Sequence, residues 1–534
     1  MQEARHITVD FRCPKMLIFL MRLNSAKRLF PLVFALAVLL VPKAAISGAI
    51  KPVIGINGKP PKAHLVELPQ ESIRIWKESR RIRKPVTLLL ISSAPGFSPL
   101  DRRSLSKARA LYRRNDWEEL FSKDYPTVKS YPVGPGNFLW FAAKERIIRE
   151  IYWAAPAKKS VKTESMARFR RFLKSIGLSK REIRSFRRYG KGIRGSVAGI
   201  PVRIFALKDL PRIRRRMVVL ADPGFFNDLY KDEVKTPFLD LFGGVMNTLG
   251  ASGIRVSDAV ISYSSSLPPL SVKDRFIARY LYTYFSDPEK LKNGPPETWE
   301  LRSKAMYDET FYQLNQVAQA YADAVKKDPE DPSLQYDMAL ALFALKDLKG
   351  VRMELANTVG LDKNYYPAYL DMANYFFSQK MPPDSEYFAR VAVKINPKDP
   401  RCWTALYNAL YAEKRYKEAA DALEKKIALG FDDLYVREDY AQTLLLARDY
   451  KKAAEEYEKV LARITPIDRK TRPTILGELA EAYEGEGRIK EALAAYAEAA
   501  RGMTDAAKRH ILLERAAKLE EKWKPFLSAP RKAE

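Results

Sequence analysis

The sequence predicts two folded parts, an α/β domain on a mostly parallel sheet followed by an all-α superhelix of repeated helical hairpins. Up to about residue 290, short continuous apolar runs alternate with helical patterns; after Pro295 and Pro296 the apolar period is helical throughout. Within that second part a six-residue pattern recurs at a fixed spacing. At 534 residues, with 47% hydrophobic and 29% charged side chains, the chain is long enough for two or three cores and too apolar to be disordered.

Residues 1–49 read as a signal peptide or N-terminal anchor. The apolar run Phe30 to Val41 follows Arg22, Lys27 and Arg28 and precedes Ala44, Ala45, Ser47, Gly48 and Ala49. The run is shorter than the roughly 20 residues a spanning helix needs, so a cleaved signal is the stronger reading. An exported chain, in the periplasm or cell envelope, is therefore expected. Beyond this segment the only cysteine is Cys402, which leaves no intramolecular disulfide in a mature chain. Residues 50–62, rich in Pro, Gly, Lys and Asn, read as a linker.

Residues 63–290 form the expected α/β domain. Val86 to Ile91, Glu150 to Ala154, Val202 to Leu207, Met217 to Ala221 and Val256 to Tyr263 are apolar runs of strand length. Leu105 to Tyr112, Asn137 to Ile148, Pro237 to Leu249 and Asp274 to Phe285 are the helical segments between them. A basic insert at about 158–195 is expected to be helical, with Leu173, Ile176, Leu178, Ile183 and Phe186 as its apolar face. It carries Arg168, Arg170, Arg171, Lys174, Lys180, Arg181, Arg184, Arg187, Arg188 and Lys191.

Charge divides the chain. The net charge is +29, yet residues 291–534 hold 39 basic against 40 acidic side chains, so the excess lies in residues 1–290, with 54 against 24. Anionic lipid, an acidic envelope polymer or an acidic protein fits that basic part; nucleic acid fits an exported chain poorly. A solvated surface without any ligand accounts for the charge equally well.

In the second part, Arg415-Tyr416-Lys417-Glu418-Ala419-Ala420 recurs 34 residues later as Asp449-Tyr450-Lys451-Lys452-Ala453-Ala454. It recurs again 39 residues on as Arg488-Ile489-Lys490-Glu491-Ala492-Leu493, with five extra residues around Thr465 to Pro473. Thirty-four residues is the tetratricopeptide period. Residues 298–506 resemble that family, with about six hairpins and a capping helix and tail at 507–534. Trp403, Leu406, Ala419 and Leu423 take its aromatic, leucine, small and bulky positions, as do Ala453 and Tyr457, and then Leu479, Ala480, Tyr483, Ala492 and Tyr496. The resemblance implies stacked hairpins with a concave surface that binds another protein or peptide. An array that merely braces the preceding domain is the alternative.

Nothing points firmly to catalysis, and no cofactor is implied. Only His64 and His510 follow the N-terminal segment, which excludes most zinc sites and Ser-His-Asp arrangements. Gly134-Pro135-Gly136 lacks the third glycine of a dinucleotide loop. Ser264, Ser265 and Ser266 have no histidine nearby and read as a turn before Pro268.

The order Trp76, VTLLLISSAPGFS, Val133 to Phe138, Ile151-Tyr152-Trp153 and Val218 to Phe226 resembles the arginase/deacetylase-type α/β fold, in its peptide-arginase-like branch. That family's first metal motif falls on Ser92, Ala94 and Gly96, its second on Leu220, Asp222 and Gly224, and its upstream histidine near Gln70. Only Asp222 remains as a ligand, so the resemblance implies a degenerate site and a non-catalytic domain. A hydrolase with an atypical site around Asp222 is the alternative; a strand-end turn at Pro223-Gly224 is the simpler role for that residue.

Overall fold

The computed structural model describes residues 49–527 except 57, 80–81, 83–84, 122–130, 158–160, 162–164, 212, 214, 231–235, 265–271 and 465–470. The apolar run Phe30 to Val41 lies outside the described residues, as do Ser265 and Ser266. Among the described residues no helix is long and apolar enough to cross a membrane.

The α/β domain is one eight-stranded sheet. Its strands are β1 (Lys62–Val66), β2 (Val86–Ile91), β3 (Ile148–Ala155), β4 (Arg187–Tyr189), β5 (Gly192–Val197), β6 (Ile200–Ala206), β7 (Arg216–Ala221) and β8 (Arg255–Ser262). The spatial order is β1-β8-β7-β2-β3-β6-β5-β4. The first six of these run parallel, while β5 and β4 are antiparallel additions at one edge.

Both faces of the sheet are covered, which is why its central strands are continuous apolar runs. Along β2, Leu88 and Leu90 enter one core with Trp76, Phe138, Trp153 and Phe186. Leu89 and Ile91 enter the other with Phe226, Phe242, Phe276, Tyr284 and Trp299. The first face carries α1 (Ser72–Glu78), α2 (Arg102–Arg114), α3 (Trp117–Leu120), α4 (Phe138–Lys144), α5 (Met166–Ser175) and α6 (Lys180–Ser185). The second carries α7 (Gly224–Tyr230), α8 (Phe238–Ala251) and α9 (Arg275–Ser286).

Two sequence expectations change here. Residues 50–56 are not a free linker. Ile50 and Val53 are buried, the Ile50 amide donates to the Leu291 carbonyl at 3.2 Å, and the Tyr284 hydroxyl donates to the Lys51 carbonyl at 3.0 Å. The basic insert is helical only as far as Ser185; Arg187 and Arg188 lie on β4, the outermost strand. A two-residue turn at Gly190-Lys191 sends β5 back along it, with Tyr189 opposite Gly192. Gly195 faces the Phe186 ring so closely that a Cβ would lie 2.4 Å from it, and this glycine-rich sequence hides a strand from a hydrophobicity reading.

The second part is a tetratricopeptide-type array, made so by its own geometry. Six helical pairs follow in order: α10 (Glu297–Glu309) with α11 (Leu314–Lys327), α12 (Pro332–Ala344) with α13 (Leu348–Leu361), α14 (Pro367–Ser378) with α15 (Pro382–Ile395), α16 (Pro400–Ala412) with α17 (Tyr416–Ala428), α18 (Leu434–Leu446) with α19 (Tyr450–Arg463), and α20 (Thr471–Glu486) with α21 (Ile489–Gly502). A last helix, α22 (Ala506–Leu527), packs on α21.

Every pair turns the same way. Tyr312, Lys346, Lys380, Lys414 and Arg448, each 34 residues after the one before, have left-handed φ between 59° and 65°, and Gly487 takes the place in the last pair. The amide that follows each turn residue reaches back to the carbonyl of the first helix, as Asp347 to Leu342 and Asp449 to Leu444 at 2.9 Å, closing that helix with a Schellman turn. Aspartates cap the next helices. Asp331, Asp347, Asp399, Asp433 and Asp449 each accept a hydrogen bond from an amide in the first turn that follows.

Candidate partner groove and strand-end crevice

The repeat positions singled out in the sequence make the inside of the stack. Leu406, Ala419, Leu423, Ala453, Tyr457, Leu479, Ala480, Tyr483, Ala492 and Tyr496 are all buried. Trp403 is only partly buried and donates its indole N–H to the Pro397 carbonyl at 2.8 Å, tying the helix to the preceding loop. The alanines let paired helices approach; the aromatics fill the space toward the next pair. These residues build the groove, so they are not the ones a ligand would touch.

The residues that remain available belong to a register the packing positions do not reveal. On successive first helices, Asp337, Asp371, Ala405, Asp439 and Glu478 are equivalent, and Leu340, Asn374, Asn408, Gln442 and Glu481 are equivalent one turn further on. Being three apart, the two rows lie on one helix face. Burial pushes the Asp371 and Asp439 carboxyls up to about 6, although both residues still reach solvent.

Asn374 and Gln442 are exposed and Asn408 is half-exposed, and among the described residues their amides make no side-chain hydrogen bond within the chain. Sliding the 34-residue frame along the sequence would have found this row. Hydrophobicity and size, which locate the packing residues, are silent about it.

One end of this surface is taken by the chain itself. Lys273, just before α9, pairs with Glu309 at 3.1 Å and helps line a small pocket with Tyr321, Asp337 and Leu340. Deeper in the junction, Arg302 is buried. Its guanidinium donates to Asp337 at 2.7 Å, to Ser333 at 2.7 Å and to the Tyr280 hydroxyl at 3.3 Å. Burial raises the Asp337 carboxyl to about 6 even beside Arg302. Arg275 forms a fork on Glu67 at 2.8 and 2.9 Å, reaches Asp362 at 3.2 Å and stacks 3.8 Å over Tyr263. The first two helical pairs are thus fastened to the sheet domain, and the open face begins at α14.

The sheet order reverses between β2 and β7. From β2 the chain moves to β3 on one side; from β7 it moves to β8 on the other, so the ends of β2 and β7 flank a topological switch point. Asp222 follows β7 there. Its amide donates to the Ile91 carbonyl at 3.1 Å, and its carboxylate accepts from the Gly224 amide at 2.9 Å and from the Ser92 hydroxyl. Burial pushes that carboxyl up to about 7, against the hydrogen bonds that hold it down.

This is the geometry of a side chain closing the turn into α7. Gly96 has a left-handed φ of 56°, and a Cβ there would lie 2.7 Å from the Phe138 ring, so no ligand-bearing side chain fits. Among the described residues no group of three His, Cys, Asp or Glu side chains is placed to hold a metal ion.

The basic residues Arg168, Arg170, Arg171 and Lys174 lie on α5, Arg181 and Arg184 on α6, and Arg187 and Arg188 on β4. They are remote in sequence and chemistry from the groove.

No family model matches the chain, and no curated protein matches its sequence. Several solved structures are similar to part of it. YrrB, described as a TPR protein with an unusual peptide-binding site, is 17% identical over 38% of this chain and 99% of its own, with a TM-score of 0.28. A thermophilic TPR protein of Thermus thermophilus is 18% identical over 42% of this chain and 98% of its own, TM-score 0.20. PilF of Pseudomonas aeruginosa is 13% identical over 41% of this chain and 97% of its own, TM-score 0.24.

Proposed function

We propose that this chain is a docking scaffold whose helical array holds an extended segment of a partner protein against α14, α16, α18 and α20. The observation that carries the reading is the row Asn374, Asn408 and Gln442, three unused amides at equivalent repeat positions beside Asp371 and Asp439. An amide both donates and accepts, so a periodic row of them suits the backbone of an extended chain. The flanking carboxylates favour a segment that carries lysine or arginine.

In this reading the chain acts in the cell envelope after export, supported by the apolar run Phe30 to Val41 between basic and small residues. The α/β domain is a non-catalytic relative of the arginase-like hydrolases. Asp222 engaged in a turn, and glycine required at position 96, support that part.

The test is site-specific photocrosslinking of the full-length chain in cells. A crosslinker at position 374, 408 or 442 is expected to capture one common partner, and a crosslinker at exposed Lys425, on the second helix α17, is not. Replacing the three amides by alanine should weaken capture by about 0.5–1.5 kcal/mol for each. Equal capture from both faces, or none from the groove, would remove the reading.

A further inference from the structure

We propose that the outer face of α5, α6 and the β4–β5 hairpin is a docking surface for anionic phospholipid membranes, separate from the partner groove. Between residues 165 and 208 the one carboxylate is Glu182. It is already engaged, accepting from the Ser179 amide and hydroxyl at 3.0 and 2.7 Å and from the Ala198 amide at 2.8 Å. Among the described residues, Arg168, Arg171, Lys174, Lys180, Arg181, Arg184 and Arg187 have no ion-pair partner. In the helical array, by contrast, arginines such as Arg390, Arg415, Arg437, Arg463 and Arg488 each pair with carboxylates.

The seven unpaired cations stand on a packed unit, beside Lys191, which pairs with Asp209 at 3.4 Å. Leu173, Leu178 and Phe186 are buried beneath them. Arg187 lies directly opposite Arg194 in the antiparallel pair, and the Arg194 guanidinium stacks 4.6 Å over the Tyr189 ring.

Two exposed rings favour a bilayer over other polyanions. Phe172 is 37% exposed next to Arg171, and Tyr189 is 45% exposed at the tip of the hairpin, so apolar rings stand among the cations as in interfacial membrane anchors.

The full-length chain is sedimented with phosphatidylcholine vesicles, with and without phosphatidylglycerol. Binding is expected to rise with phosphatidylglycerol and to fall with salt. The variant Arg168→Gln/Arg171→Gln/Lys174→Gln should lose on the order of a hundredfold in affinity for the anionic vesicles, at roughly fivefold per cation. Arg181→Glu/Arg184→Glu should lose affinity in the same direction from an independent helix, which guards against misfolding of either variant.

Phe172→Ser should remove the part of binding that survives high salt. Lys417→Glu/Lys425→Glu/Lys451→Glu, on exposed lysines of the array, should change little. The proposal is overturned if the α5 and α6 variants bind anionic vesicles like the wild type, or if wild type prefers duplex DNA to those vesicles. It is also overturned if the variants self-associate with vesicle binding intact, because the cations would then only guard an open sheet edge.

Discussion

Replacing Arg275 by leucine tests how the two parts of the chain are joined. The guanidinium is 8% exposed and bridges Glu67 on the sheet side to Asp362 at the end of the second helical pair, with Tyr263 beneath it. Breaking a buried ion pair from one side costs about 3–5 kcal/mol when the abandoned charge stays dry. Here the abandoned carboxylates keep 36% and 21% of their side-chain surface in water and Asn364 still donates to Glu67, so about 2–3 kcal/mol is expected.

That loss falls on the junction alone. The sheet core and the stacked alanines are untouched, so Arg275→Leu should separate one unfolding transition into two, the earlier one confined to the seam and the first helical pairs. Calorimetry with hydrogen exchange resolved by peptide can see this. A single transition with an unchanged midpoint, and unchanged exchange in α9 and α12, would refute the claim that this arginine couples the two parts.

Two further outcomes follow from buried groups. The Asp222 carboxyl titrates near 3.8 when unfolded and at about 7 when folded, so its contribution to stability is complete below about pH 4 and is lost as pH rises through 7. Asp222→Asn keeps an oxygen for the Gly224 amide but cannot ionise. It should therefore gain on the wild type by up to about 4 kcal/mol between low pH and pH 8; urea midpoints that differ equally at both pH values would contradict this. Cys402 is fully buried, and burial pushes its thiol up to about 12. Iodoacetamide should label it only after unfolding, as followed by peptide mass mapping; rapid labelling of the native protein would mean that the core side of α16 is open.

The legible parts of the fold were those where one strong physical requirement acts alone. VTLLLI is a strand because both its faces are buried, and the array is readable because small and bulky residues must return every 34 positions for hairpins to stack. Where requirements mix, the sequence misleads. β1 (KAHLV) is a half-polar edge strand, and β5 (GIRGSV) trades side chains for glycines so that Phe186 can pack against it. Residues 50–56 have linker composition, yet Ile50 and Val53 are enough to hold them down.

The same holds for the candidate site. Size identifies the packing residues, whereas the row Asn374, Asn408 and Gln442 shows only when the 34-residue frame is laid over the first helices. The junction arginines, Arg275 and Arg302, depend on contacts between elements far apart in the chain and leave no local trace.

Trp299 lies almost flat on Tyr280, with ring centroids 3.6 Å apart. The change of composition at Pro295 therefore does not mark a place where the molecule can be cut. A fragment that begins there would shed the surface on which its first helix rests, leaving a tryptophan and a buried guanidinium facing solvent. Any shortened version meant to preserve the helices should be trimmed from the carboxyl end, one hairpin at a time, with α9 retained as their foundation.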